Sequence, residues 1–113
     1  MLRKLDLVVF RVRDWRAAVR FYTEALGFKL VHSVDEDRWA MLELPDGETR
    51  IGLLGGDGGP RPNVRCDDLA ATVDELKRRG VRVTEDLRVS AKGYRVATVV
   101  DPEGNELQLY DWT

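Results

Sequence analysis

One order of elements, strand–helix–strand–strand–strand, occurs twice in 113 residues, and this repeat narrows the folds open to the chain more than any other feature. In the first half, residues 5–12 are a β-branched and aromatic run that predicts a strand. Asp14 follows as an N-cap, and residues 15–26 predict a helix closed by Gly27. Its apolar stripe is Trp15, Ala18, Val19, Tyr22 and Leu26. Strands are expected at 28–34, 38–44 and 49–54, separated by Asp35-Glu36-Asp37 and Pro45-Asp46-Gly47. The second half repeats the order: a short strand at 63–66, the cap Asp68, a helix over 69–79 with Leu69, Thr72, Val73 and Leu76 inward, then strands at 82–89, 94–100 and from 106 onward. Asp14 and Asp68, Ala17 and Ala71, and Val19 and Val73 each lie 54 positions apart, and Pro45-Asp46-Gly47 matches Pro102-Glu103-Gly104 at 57. The glycine-rich residues 55–62 read as a linker. No Lys-Ser/Thr pair and no helix follow them, so they are not a phosphate loop.

Neither half alone buries both its helix and its sheet. The expected fold is therefore α+β: two tandem βαβββ modules, residues 5–54 and 63–112, forming a curved eight-stranded sheet cleft with helices outside, in a single domain spanning 1–113. Strict alternation along the strands sends Val8, Phe10, Ala40, Leu42, Val64 and Leu109 toward the helices. It sends Leu7, Val9, Arg11, Trp39, Met41, Glu43, Ile51, Leu53, Gln108 and Tyr110 to the cleft. A single bulge would exchange the two faces of a strand.

Eighteen basic residues nearly balance twenty acidic ones, so no net field favours nucleic acid or a membrane surface. The single cysteine, Cys66, excludes an internal disulfide framework and suits a reducing compartment. No apolar run approaches the roughly 18 residues of a membrane span, and a cytoplasmic protein is expected.

Two segments carry a family resemblance. Val12-Arg13-Asp14-Trp15, with Phe21-Tyr22-Thr23-Glu24-Ala25-Leu26-Gly27-Phe28, and Asp101-Pro102-Glu103-Gly104-Asn105-Glu106-Leu107-Gln108-Leu109 resemble the vicinal-oxygen-chelate superfamily. That group holds glyoxalase I, extradiol dioxygenases, methylmalonyl-CoA epimerase, and fosfomycin and bleomycin resistance proteins. The resemblance implies that metal-dependent members hold a divalent cation with His, Glu or Gln on the first and last strand of each module. Carried onto this chain, the pattern falls on Leu7, Ile51, Arg61 and Gln108. Leucine and isoleucine cannot coordinate, arginine repels a cation, and only Gln108 offers an oxygen. The chain is therefore closest in kind to the metal-free, bleomycin-resistance-like members. No metal and no cofactor are expected.

The remaining candidates have two readings each. Glu43 is a weak candidate for a general base, or it satisfies Arg11 or Arg65. Arg11, Arg61 and Arg65 form a patch for an acidic ligand or a solvated rim. Trp39, Met41 and Tyr110 grip a flat ligand, or they fill space or meet a second copy. His32, the only histidine, reads as a surface residue, and Cys66 as a buried, inert thiol. Trp15 and Trp112 read as packing or interface residues. The expectation is binding of a small aromatic or hydrophobic molecule without a metal. The alternative is a metal-dependent lyase, isomerase or dioxygenase with a relocated site. A homodimer is expected as the assembly, by symmetry of exposed strand edges.

Overall fold

The structure, a computed structural model, describes residues 1–112. The elements run β1 (Leu2–Val12), α1 (Trp15–Arg20), β2 (Lys29–Val34), β3 (Trp39–Glu43), β4 (Arg50–Gly55), β5 (Gly59–Cys66), α2 (Leu69–Arg78), β6 (Arg82–Val89), β7 (Tyr94–Val100) and β8 (Glu106–Trp112). This is the α+β, twice βαβββ order of the sequence. The strand order is β2-β3-β4-β1-β5-β8-β7-β6. The chain divides into two compact units, one of Leu7–Pro60 and one of Met1–Asp6 with the residues from Arg61 onward, so β1 contributes to both. Among the described residues no helix is long and apolar enough to cross a membrane.

In the first unit, β1 runs parallel to β4, and β3 lies antiparallel between β4 and β2. Asp14 caps α1 by accepting from the Ala17 amide at 3.1 Å. Trp15 is buried on Ala40, Leu42 and Leu53, and its indole N–H donates to the Leu53 carbonyl at 3.1 Å, fixing the helix to the sheet. The helix does not run on to residue 26. A π-helical turn, Phe21–Ala25, follows it. The wider turn rotates Leu26 off the stripe, leaving it 47% exposed, and Phe28 packs on the core in its place.

The register corrects the faces expected for β4. Phe10 pairs with Leu53 and Leu53 with Ala40, so all three point toward α1. Leu53 is fully buried there and Ile51 packs beside it. Neither lies on the open face of the sheet, where Gly52 and Leu54 stand instead. The expected linker is also shorter. Residues 59–62 belong to β5, so the connection contracts to Gly56-Asp57-Gly58.

In the second unit, β5 is parallel to β8, and β7 pairs antiparallel with β8 and β6. Asp68 caps α2 through the Ala71 amide, and Leu69, Thr72, Val73 and Leu76 are the buried stripe. They pack on Val64, Cys66, Ala97, Val99 and Leu109. Burial pushes the Cys66 thiol above its ordinary pKa, in keeping with an inert residue. Glu75 bonds both Arg78 and Arg79, at 2.8 and 3.0 Å. The helix is tied to the sheet by Asp111. Its carboxylate, buried on β8, accepts from the Leu69 amide at 2.7 Å and from both Nε and Nη2 of Arg95. The Arg95 guanidinium, assisted by that amide, holds the Asp111 carboxyl below the usual aspartate range.

Candidate functional site

On the open face of the first unit, Val9, Gly52 and Met41 form one row across β1, β4 and β3, and Arg11, Leu54 and Trp39 form the next. The Trp39 ring lies on the Gly52 backbone. A β-carbon at Gly52 would stand 2.7 Å from Trp39 Cζ3, closer still to Cη2, and 3.0 Å from Leu7 Cδ1. Glycine is needed here so that the ring edge can approach the strand this closely. Leu7 and Val9 are buried, while Trp39 and Met41 are half-buried. Two charged residues of this face, Glu43 and Arg11, are already engaged. Glu43 pairs with Arg50 at 3.1 Å, a partner other than the expected Arg11 or Arg65. The Arg11 guanidinium donates to the carbonyls of Gly58 and Gly59 at 2.8 and 3.1 Å and so holds the glycine turn.

On the open face of the second unit, Asn63 lies beside Gln108, Gln108 beside Thr98, and Thr98 beside Glu85. The buried Thr98 hydroxyl donates to Glu85 Oε1 at 2.9 Å. Oδ1 of Asn63 is buried with no hydrogen-bond partner among the described residues. In the next row, the Tyr110 hydroxyl donates to Asp6 at 2.5 Å. Burial, reinforced by Asp6, pushes the Tyr110 pKa well up and keeps the phenol protonated. Tyr110 is thus a tethered hydroxyl rather than a free stacking ring. Alternation along β7 also sends Thr98 to this face, whereas nothing in the sequence pattern marks Asp6, Asn63 or Glu85.

Of the other sequence candidates, His32 is exposed on β2 opposite Met41, at the edge of the first unit's open face. Trp112 is 57% exposed and meets Tyr94 edge-on at 5.4 Å between ring centres. A wide cavity of about 670 Å³ opens at the start of α1 among Arg13, Arg16, Asp35 and Arg38, and holds none of the residues expected to bind ligand.

The metal positions implied by the resemblance also shift. Phe10–Leu53 and Val64–Leu109 are equivalent pairs, each facing its own helix. Gln108 therefore corresponds to Gly52 and not to Ile51. The turn before β4 is one residue longer than the turn before β8, which put the sequence alignment out by one. The first unit then offers Leu7 and Gly52, and the second Arg61 and Gln108. One neutral amide oxygen is the whole donor set, and it does not fit a divalent cation, which needs several oxygen, nitrogen or thiolate ligands. Among the described residues no group of three or more His, Cys, Asp and Glu side chains could hold one elsewhere.

Comparison with known proteins agrees with this architecture. The profile of the Glyoxalase/Bleomycin resistance protein/Dioxygenase superfamily matches residues 4–109, and the chain belongs to that superfamily. It is 29% identical to a probable chloroplastic lactoylglutathione lyase of Arabidopsis thaliana, over 96% of this chain but 36% of that longer protein. The structure of methylmalonyl-CoA epimerase from Mycobacterium tuberculosis superimposes with a TM-score of 0.75 at 26% identity, covering 99% of this chain and 89% of that one. A superfamily member from Vibrio splendidus 12B01 superimposes at 0.80 with 14% identity, covering 98% and 99% of the two chains.

Proposed function

We propose that this superfamily member binds a small aromatic or hydrophobic molecule on the open sheet face of its first unit, without a metal ion, and holds it rather than transforming it. The observation that carries this reading is the Trp39 ring seated on Gly52 beside Leu7. A position that would supply a metal ligand carries no side chain, and an aromatic surface covers it. Met41 in the neighbouring row adds a soft, adaptable contact. Each ~100 Å² of apolar surface buried by a ligand contributes about 2.5 kcal/mol before ordering costs. Glu43 is paired to Arg50 and Arg11 to the glycine turn, so neither carboxylate nor guanidinium is aimed at a ligand on this face.

A second reading, a metal-dependent lyase or isomerase, is favoured by the names of the lactoylglutathione lyase and epimerase relatives. The two are separated by titrating tryptophan emission with a panel of aromatic drugs and metabolites in the presence of a chelator. Saturable quenching that disappears in Trp39→Phe supports binding without metal. Emission that no compound alters removes the main support for it.

The assembly we propose is a homodimer formed along β2. This strand ends the sheet order, and its Leu30 and Val31 are 42% and 38% exposed.

A further inference from the structure

We infer that the open face of the second unit carries a subsite for a ligand group that bears N–H donors, formed by Glu85, Thr98, Gln108 and Asn63. The four residues occupy one register row across β6, β7, β8 and β5.

Glu85 reaches that row only because β6 breaks its alternation twice. Val83 packs in the helix-side core, and strict alternation would send Glu85 to the same side. A register shift between Val83 and Glu85 turns the carboxylate to the open face, opposite Thr98. A second shift, between Glu85 and Arg88, returns Leu87 to the core. Such irregularities re-aim side chains at functional positions. The Thr98 hydroxyl then holds the carboxylate in place.

Two acceptors of the row are open to an incoming donor. The Thr98 proton is committed to Glu85 Oε1, which leaves the second carboxylate oxygen for an incoming donor. Asn63 Oδ1 is buried without a donor, a state that proteins avoid unless something supplies one. An amine, amidine or carboxamide brings N–H groups to these two oxygens, which a carboxylate or phosphate cannot do. Arg65 and Arg88 stand exposed in the adjoining row, so an anionic probe belongs in the test. The inference rests on the second unit alone and does not depend on the reading of the Trp39 face.

The test uses the ¹⁵N-labelled full chain and three probes: benzamide, benzamidine and benzoate. Benzamide and benzamidine are expected to shift the side-chain NH₂ signals of Asn63 and Gln108 saturably, and benzoate to leave them in place. Glu85→Gln should weaken benzamidine about tenfold and benzamide less. Asn63→Leu, followed at Gln108, should weaken both about tenfold. Thr98→Val serves in its place if Asn63→Leu loses its dispersed spectrum. Unshifted signals with all three probes, equal shifts with benzoate, or variants that bind as the unaltered chain does would each overturn the inference.

Discussion

The Trp39 ring and Gly52 occupy one space. The ring edge lies where a side chain on β4 would begin, and Leu7 Cδ1 closes the other side. Gly52→Ala should therefore push the ring off the strand and destabilise the fold by about 1–3 kcal/mol, the usual cost of overpacking. Pairing it with Trp39→Ala should recover much of that loss, because the added methyl then has room. Urea denaturation of the single and double variants reads this coupling.

The same register bears on metal binding. If Gln108 were the only lost ligand, Gln108→Glu would restore a carboxylate and with it some affinity. The register instead sets Gly52, which has no side chain, at the position equivalent to Gln108, and the other two positions that the resemblance implies hold Leu7 and Arg61. Gln108→Glu should show no micromolar binding of zinc, nickel or manganese by titration calorimetry.

Asp111 should control acid stability. Asp111→Asn removes the ion pair with Arg95 and should cost about 2–3 kcal/mol at neutral pH, less than a fully buried pair because Arg95 keeps 22% of its side chain exposed. The folded-state pKa is depressed, so the contribution is fully present above the ordinary aspartate value of 3.8 and fades as pH falls through the lower folded value. Urea midpoints of the two proteins should differ most above the ordinary aspartate value and converge as the pH falls below the depressed folded value.

Leu30→Lys or Val31→Lys on the exposed edge strand β2 should convert a dimer to a monomer. Sedimentation equilibrium at micromolar concentration checks this by doubling or not doubling the 12.9 kDa chain mass.

Much of the fold was legible because its signals are local. Asp14 and Asp68 cap their helices as their spacing implies, and the α2 stripe is buried at the four positions its periodicity selects. The faces of β4 were not legible. Ile51-Gly52-Leu53-Leu54 is apolar or neutral at every position, so alternation gives no phase. A turn one residue longer then moved Ile51 and Leu53 into the core. Pro60 and Pro62 lack amide donors and imitate a linker, although they lie in β5. Leu26 was displaced by a π-helical turn that leaves no mark on the apolar spacing. Glu85 escaped notice because two register shifts, visible only in the paired strands, put it beside Thr98. Asp111 was hidden for a similar reason, since its partners Leu69 and Arg95 lie 42 and 16 positions away.

The measurement closest to the central claim is the metal content of protein purified without chelators and assayed for ligand binding in the same preparation. A face in which Trp39 covers Gly52 predicts far less than one equivalent of any divalent transition metal, and aromatic-ligand quenching that a chelator leaves unchanged. One equivalent of nickel, zinc, manganese or iron per chain, with binding that vanishes when it is stripped, would contradict the account.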